Sequence, residues 1–295
     1  MSIESRIESN KSLKALSTFG VGGNARYFIS IETIEEMQEL RRFISRESIP
    51  FWVVGKGSNS LFHDRGFDGM VILNKIHFLE FDQGALHVGA GYSFSLLGAQ
   101  MAKKGWSGLE FATGIPGTVG GAVYMNAGAN GAETKDCLTE VGVVKRDGAF
   151  DVKKGLEFSY RTSPFHKNDE IIVSARFMLE KKSCARKDQL EIIEYRMKTQ
   201  PYGEKSAGCV FRNPTGASAG ALIEKCGLKG KSIGDAEVST VHGNFIINKG
   251  KASASDILEL ASLVKDEVKK QTGKHLEIEI RPIPYSTLRK TDVSR

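Results

Sequence analysis

No stretch of this sequence is long and apolar enough to cross a bilayer, which takes roughly 18 consecutive apolar residues. The first segment, Met1 to Ser12, is polar and charged and lacks the apolar core that a secretory signal needs. These absences exclude an integral membrane protein and argue against a membrane partner. We therefore expect a protein of the cytoplasm.

Cysteine is scarce, and its spacing excludes two kinds of site. No two of the four cysteines form a CxxC pair, and none has a histidine or aspartate at metal-ligand spacing. We predict no metal site and no disulfide scaffold. Cys137, Cys184 and Cys226 are expected to be free thiols without a role in chemistry.

A strong charge of one sign is also missing. The 41 lysines and arginines exceed the 35 aspartates and glutamates by a net charge of +6, and the basic residues are spread along the chain. This favours a solvated surface over a nucleic-acid partner. A mild positive excess also suits a small anionic substrate.

The length of 295 residues favours about two domains, and the local patterns indicate three α+β lobes. We place them at residues 1–75, 76–200 and 201–295. Apolar spacing and capping residues predict helices, and short β-branched or aromatic runs predict strands, in a mostly antiparallel arrangement for the middle lobe. The predicted helices are 34–46, 93–104, 185–199, 219–226 and 253–270. The predicted strands are 51–54, 77–81, 86–89, 141–145, 150–152, 171–180, 245–248 and 276–281.

Two glycine-rich motifs fail as nucleotide-binding signatures. Gly20 to Ala25 fits G-x-G-x-x-G/A, but no convincing strand precedes it and the next helix is distant. Gly230-Lys231-Ser232 resembles the end of a P-loop, but Lys225 stands where that motif needs glycine. Neither a Rossmann fold nor a P-loop is predicted.

Two other loops are better candidates for holding a dinucleotide. Gly55 to Ser60 directly follows a buried strand, and Gly114 to Gly121 contains four glycines with no charged side chain nearby. Glycine lets the backbone approach phosphate, and successive N–H groups in such turns bind anions. An ordinary loop and a buried structural turn remain the alternatives. The predicted cofactor-binding residues are Gly55, Gly57, Ser58, Asn59, Ser60, Gly114, Pro116, Gly117, Thr118, Gly121, Ala122 and Asn126.

Four side chains elsewhere are candidates for chemistry. Arg161 can clamp a carboxylate in a bidentate manner, although a surface arginine is the alternative. Glu277 and Glu279 share one face of a predicted strand, where an exposed polar face is the default. Cys209 lies in a Gly-flanked turn. A Cys–His acyl-transfer pair with His242 is disfavoured because it leaves the glycine loops unexplained.

Together these motifs resemble the UDP-N-acetylenolpyruvoylglucosamine reductases, flavoproteins of peptidoglycan precursor synthesis. The resemblance spans nearly the whole chain in blocks that follow the family's order. These blocks are Ser17 to Gly23, Val54 to Leu61, Gly114 to Gly131, Ser159 to Phe165, Gly208 to Pro214, Ala219 to Gly230, Ser239 to Asn248 and Leu276 to Arg281.

The resemblance implies an FAD-binding fold of the vanillyl-alcohol-oxidase type in the first two lobes and a C-terminal α+β domain that binds the UDP-sugar. It implies that NADPH reduces FAD and that flavin N5 delivers hydride to the vinyl CH2 carbon of the enolpyruvyl ether of UDP-N-acetylglucosamine. The product is UDP-N-acetylmuramate. We expect a monomer.

The resemblance also assigns roles to residues. Arg161 and Glu279 match the family's arginine and glutamate, which polarise the carboxylate and stabilise the enolate. Cys209 stands where many members carry the proton-donating serine. The short interval between Arg161 and Gly208 resembles the compact branch of the family. The expected substrate contacts are Arg196, Asn213, Lys225 and Asn244.

A cysteine in place of serine leads to an expectation about pH. A free thiol has a pKa of about 8.5, so Cys209 is a stronger acid than an alcohol. We expect Arg161 to lower that pKa further and cause an alkaline loss of turnover. The remaining alternatives are a flavin oxidase of the same fold and a nucleotide-sugar binding protein without catalysis.

Overall fold

The structure, a computed structural model, describes residues 2–286. Residue 1 of the predicted first domain and residues 287–295 of the predicted third domain lie outside this range. Within it, no helix combines the length and apolar character that crossing a membrane requires.

A four-stranded sheet forms the N-terminal part of the chain. Its strands run in the order β1, β2, β5, β3, with β1 antiparallel to β2 and the other pairs parallel. Helix α1 begins after Thr33, whose side chain accepts a hydrogen bond from the Glu36 N–H. The elements are β1 (Glu8–Ser12), β2 (Asn24–Ile31), α1 (Ile34–Glu47), β3 (Phe51–Val54), β4 (Ser60–Phe62) and β5 (Gly66–Asn74).

The middle part is built on a five-stranded antiparallel sheet, as the sequence predicts. The strand order is β12, β11, β13, β7, β6. Its elements are β6 (Leu79–Asp82), β7 (Ala85–Gly89), α2 (Phe94–Lys103), β8 (Trp106–Ser107), α3 (Val119–Met125), β9 (Gly128–Ala129), β10 (Ala132–Glu133), β11 (Leu138–Val144), β12 (Phe150–Lys154), β13 (Ile171–Met178), β14 (Glu180–Lys181) and α4 (Ala185–Thr199).

The C-terminal part combines two helices with a small antiparallel sheet of β15, β16 and β17. Its elements are α5 (Ala219–Lys225), β15 (Ser232–Ile233), β16 (Ala236–Val238), β17 (Ile246–Asn248), α6 (Ala254–Thr272) and β18 (Arg281–Ile283). The predicted strand over 276–281 is regular only from Arg281 onward. Before that, Phe211 and Ile278 form an isolated bridge.

The first and last parts of the chain share a core. Phe19, Val21 and Leu61 are buried in the same apolar cluster as the C-terminal helices. Strand β18 also pairs in parallel with β4 of the N-terminal part. The C-terminal part is therefore joined to the N-terminal part by apolar packing and by a strand pair.

Asp64 is a polar link between these parts. Its carboxylate accepts hydrogen bonds from the N–H groups of Ala254 and Ser255, at 2.7 and 3.0 Å, at the start of α6. The free N–H groups and dipole of a helix N-terminus favour such an anion. Burial raises the pKa of Asp64, but these hydrogen bonds outweigh it and hold the pKa below its ordinary value.

We expect Asp64→Ala to lower the free energy of unfolding by about 1 kcal/mol, as the loss of a helix cap does. Urea unfolding measures this, with Asp68→Ala as the control because, among residues 2–286, the pair that the Asp68 side chain makes is an exposed one with Arg26. The contribution of Asp64 is complete above its unfolded pKa and disappears as pH falls through the lowered folded pKa. An equal loss in both variants would contradict the capping role.

Candidate active site

The two predicted cofactor loops lie against each other. A Cβ atom on Gly55 would stand 2.3 Å from Thr118 Oγ1, and one on Gly117 would stand 3.3 Å from Ser58 Oγ. Thr118 also begins α3, where its side chain accepts a hydrogen bond from the Gly121 N–H. Loops separated by about sixty residues of sequence thus form one glycine-lined surface.

The loop from Gly55 to Ser60 lies between two other backbone segments, one at Leu16 and one at Arg281. A Cβ on Gly57 would stand 1.8 Å from the carbonyl oxygen of Leu16. The Asn59 carbonyl accepts a hydrogen bond of 2.9 Å from the Arg281 N–H. Within residues 2–286, the N–H groups of Ser58 and Asn59 donate no hydrogen bond to the protein. A glycine cradle with free N–H donors fits the diphosphate of FAD.

Gly57→Ala should weaken FAD binding by at least about tenfold, because the methyl group has no room and φ is +64°. Fluorescence titration of the apoprotein with FAD measures the Kd. Gly155→Ala is the matched control, since φ there is +59° and no atom of the described residues lies within 4 Å of the added Cβ. Equal affinities of the two variants would rule out a cradle at Gly57.

The second loop is supported by α4 and the segment after it. Arg196 donates a hydrogen bond of 2.9 Å to the Gly114 carbonyl and one of 3.4 Å to Tyr202 Oη. A Cβ on Gly114 would meet both side chains, at 2.9 and 2.7 Å. Arg196, predicted to contact substrate, thus lies against the cofactor loop, and its contact with substrate stays a prediction.

Asn126 ends α3 in the left-handed conformation, with φ of +44°. Its side-chain amide donates to Glu133 and to the Ser159 carbonyl, and its oxygen accepts from the Lys135 N–H. The side-chain amide of Asn126 therefore bonds to other groups of the protein at both its nitrogen and its oxygen. Its predicted contact with FAD is untested by this geometry, as are those of Pro116 and Ala122, which are exposed and buried respectively.

Arg161 and Glu279 form an ion pair near this surface. Arg161 Nε donates to Glu279 Oε1 at 2.7 Å, and its terminal nitrogen donates to the Gly128 carbonyl at 3.0 Å. Both side chains are mostly buried, with exposed fractions of 18% and 14%. Arg161 adopts a φ of +55°, which is uncommon for a residue with a side chain.

Burial raises the pKa of Glu279 above its ordinary value, although Arg161 and Arg212 oppose the shift. A carboxyl group with a raised pKa holds its proton more readily. The structure therefore combines a cation with a carboxyl group that holds its proton to higher pH than an ordinary glutamate does.

Cys209 lies close enough to Arg161 and Glu279 for their charges to shift the pKa of its thiol. Burial raises the pKa of its thiol to about 12, and Glu279 adds to the increase. Arg161 and Arg196 lower the pKa, but by less. The sequence predicts that Arg161 makes the thiol more acidic than usual, and for the net pKa this prediction is wrong. Removing the thiolate from water raises the pKa by more than the two arginines lower it.

The remaining predicted substrate residues lie at different depths. Asn213 is exposed and accepts a hydrogen bond of 2.9 Å from the Ala219 N–H at the start of α5. Lys225 is exposed at the last position of α5. Asn244 is buried, with an exposed fraction of 2% and both ends of its amide bonded to the Phe211 backbone. Their contacts with substrate stay predictions.

Sequence reasoning assigned no role to a group of cationic and aromatic side chains beside the pair. Arg281 lies between the rings of Trp52 and Tyr124, 5.0 and 4.8 Å from their centroids, and donates to the Tyr124 hydroxyl. The His166 ring lies tilted against the Tyr124 ring, with 4.4 Å between their centroids, and burial together with Arg281 lowers the pKa of His166. These contacts join distant parts of the sequence, so no local motif indicates them.

Within the described part of the chain, no group of three His, Cys, Asp or Glu side chains is arranged to hold a metal ion.

Models of two protein families match this chain. The FAD-binding domain model matches residues 25–151. The model of the C-terminal domain of UDP-N-acetylenolpyruvoylglucosamine reductase matches residues 200–283. The fold and the site thus define a flavoprotein in which an FAD-binding fold of the vanillyl-alcohol-oxidase type carries an additional C-terminal α+β domain, as predicted.

Similar proteins specify the family. UDP-N-acetylenolpyruvoylglucosamine reductase of Protochlamydia amoebophila is 55% identical over 288 residues, covering 97% of this chain and 96% of its own. The Chlamydia pneumoniae protein of that name is 47% identical, covering 92% and 90%. The crystal structure of the Thermus caldophilus reductase has a TM-score of 0.81 at 41% identity and covers 95% and 99%. This chain belongs to the UDP-N-acetylenolpyruvoylglucosamine reductase family.

Proposed function

We propose that this protein reduces the enolpyruvyl ether of UDP-N-acetylglucosamine to UDP-N-acetylmuramate, with FAD as cofactor and NADPH as electron donor. One observation carries the proposal: Arg161 and Glu279 pair at 2.7 Å, with Cys209 within electrostatic range, beside a glycine cradle that fits a dinucleotide. The 55% identity with a reductase of this name supports it. We further propose that the enzyme acts in the cytoplasm as a monomer.

FAD bound at this site would supply hydride chemistry, with NADPH as the electron donor and the enolpyruvyl group as the acceptor. The loops Gly55 to Ser60 and Gly114 to Gly121 would hold the cofactor through backbone N–H groups. Their glycines allow close approach, and the tight packing of the loops keeps the surface rigid.

Arg161 binds the substrate carboxylate. Addition of hydride at the methylene carbon places negative charge on the neighbouring carbon and its carboxylate. Arg161 and a protonated Glu279 stabilise this enolate, because fixed charges and donors act strongly in a site shielded from water. The raised pKa of Glu279 favours the protonated form that this role requires.

Cys209 then donates its proton to the carbon that bears the carboxylate, which completes the lactyl ether. With a pKa of about 12, the thiol holds this proton throughout the physiological range. Arg161 and Arg196 stabilise the thiolate that remains, since both lower the pKa of Cys209. Solvent returns the proton before the next turnover.

Asn213 and Lys225 are exposed, and both are proposed to contact the UDP-sugar. The Tyr160 hydroxyl accepts a hydrogen bond of 3.4 Å from the Asn213 N–H. It connects that segment to the Arg161 loop, so substrate binding at Asn213 would be coupled to the position of the ion pair.

The decisive experiment measures three properties of the purified protein. We expect the visible absorption of oxidised flavin, NADPH oxidation that depends on the enolpyruvyl UDP-sugar, and a lactyl ether product identified by mass spectrometry. Flavin reduction with transfer to oxygen alone would indicate an oxidase of the same fold. Binding of the UDP-sugar without any flavin would indicate a binding protein.

A further inference from the structure

Asn244 is a buried amide whose hydrogen bonds surround the residue two positions after Cys209. Its Oδ1 accepts from the Phe211 N–H at 2.9 Å, and its Nδ2 donates to the Phe211 carbonyl at 2.8 Å. One side chain thus bonds to both the N–H and the carbonyl of a single residue, Phe211. Side-chain amides that pair in this way with a backbone residue fix the local position of the chain.

The backbone of Asn244 also holds the segment next to the thiol. Its carbonyl accepts from the Val210 N–H at 2.8 Å, and Cys209 forms an antiparallel bridge with Phe245. The N–H of Asn244 donates in turn to His242 Nδ1 at 3.1 Å. Cys209 is thus attached to the Asn244 segment through bonds on successive residues.

The opposite edge of the same segment is attached to the Glu279 strand. The Glu279 N–H donates to the Val210 carbonyl at 2.7 Å, and the Arg212 N–H donates to the Glu277 carbonyl at 2.8 Å. The residues from Cys209 to Arg212 therefore lie between Asn244 and Glu279. Loss of the hydrogen bonds to Asn244 would therefore change the distance between the Cys209 thiol and the ion pair of Arg161 and Glu279.

One N–H of the Asn244 amide is left after the bond to Phe211, since the amide nitrogen carries two. The Asn244 side chain lowers the pKa of the Cys209 thiol, although burial outweighs this effect. A donor to sulfur is most useful after the proton has left, when a buried thiolate needs compensation.

We propose that Asn244 is the positioning residue of the proton donor: it holds Cys209 toward Glu279 and Arg161 and donates its second amide N–H to the sulfur. This inference rests on the proposed function of Cys209. This role is exerted through the thiol, and the sequence-based expectation of a direct contact between Asn244 and substrate stays a prediction beside it.

The test compares Asn244→Ala with Asn248→Ala. Asn248 is a buried amide in the same segment, and it bonds to the carbonyl of Phe19 and to the N–H groups of Gly250 and Ala252. Both variants lose a similar set of hydrogen bonds, so thermal unfolding and FAD affinity report the structural part of the effect. Only Asn244 adjoins the thiol.

In Asn244→Ala we expect reduction of bound FAD by NADPH to stay within about twofold of wild type. Product formation by the reduced enzyme, followed by rapid quenching, should slow by about 10²-fold, the cost of a misplaced catalytic group. KM should change little, and the solvent deuterium isotope effect should rise as proton transfer limits the rate. In Asn248→Ala, the reduction of FAD and the formation of product should change by the same factor.

A double-mutant cycle separates this role from substrate binding. Adding Asn244→Ala to Cys209→Ala should cost little further activity, because residues that act as a unit are not additive. A full additional loss, or a raised KM with kcat unchanged, would overturn the proposal.

Asn244→Asp is the second variant, for use if the alanine variant does not fold. It keeps the oxygen that accepts from the Phe211 N–H and removes both amide N–H donors. Wild-type product formation in Asn244→Asp would overturn the proposal as well. Failure of the proposed function is a different result: the wild-type enzyme itself would then form no product.

Discussion

Glu279→Gln should slow the reduction of substrate by about 10²–10⁴-fold, the usual loss when a positioned acid or a charge-stabilising donor is removed. The side chain keeps nearly the same shape, so packing around the site changes little. What is lost is a carboxyl group that can hold and share a proton next to Arg161, at 2.7 Å. Steady-state turnover with the enolpyruvyl substrate measures the loss.

Glu277→Gln is the matched control, because Glu277 lies two residues away in the same segment and is exposed. Reduction of FAD by NADPH should be unaffected in both variants, since the proposed role of Glu279 begins after hydride has left the flavin. Equal turnover in Glu279→Gln and wild type would remove Glu279 from the mechanism. An equal loss in both variants would indicate a general effect of charge.

The raised pKa of Glu279 also has a consequence for stability. The folded protein binds this proton more tightly than the unfolded chain, so the contribution of Glu279 to stability falls as pH rises from the unfolded pKa through the folded pKa. The unfolding free energy of Glu279→Gln relative to wild type should therefore increase over that interval. Denaturant unfolding at several pH values checks the sign.

Cys209→Ala should reduce turnover by about 10²–10⁴-fold, because it removes the proposed general acid. Cys209→Ser should retain more activity than Cys209→Ala, since a hydroxyl can also donate a proton. Reduction of FAD by NADPH is again the internal control. Turnover of Cys209→Ala equal to that of wild type would show that another group, with protonated Glu279 the first candidate, supplies the proton.

The pH profile distinguishes the thiol from an ordinary cysteine. With a pKa of about 12, only about 1% of Cys209 is thiolate at about pH 10. We therefore expect no alkaline loss of activity from Cys209 up to about that pH, and matching alkaline limbs in wild type and Cys209→Ser. Iodoacetamide should react faster with exposed Cys184 than with Cys209 at neutral pH, because access and thiolate fraction both limit the reaction.

Much of the fold follows from patterns that are local in sequence. The 185–199 helix appears with the predicted bounds, as does the strand 51–54 that leads into the first cofactor loop. The strands 24–31 and 66–74 were not predicted. They pair with each other in parallel, and their stability comes from that pairing and from burial between other elements, which the short-range pattern does not report.

The candidate site divides in the same way. Arg161, Cys209 and Glu279 stand out because each occurs in a motif, and the structure brings all three together. The stack of Arg281 with Trp52 and Tyr124 has no such signal, because its members come from three separate parts of the chain. The buried position of Asn244 behind the thiol is equally invisible in sequence.

By itself, the sequence determined the kinds of chemistry available to this protein: glycine loops for a dinucleotide, an arginine and a glutamate for a carboxylate, and a thiol in place of an alcohol. Only the tertiary structure decided how these groups behave. Burial, with Glu279 nearby, keeps protonated a thiol that Arg161 alone would make more acidic than usual. The physical reason is that desolvation and Coulomb interactions depend on distance and burial in space, and neither quantity is encoded in the identity or spacing of the residues alone.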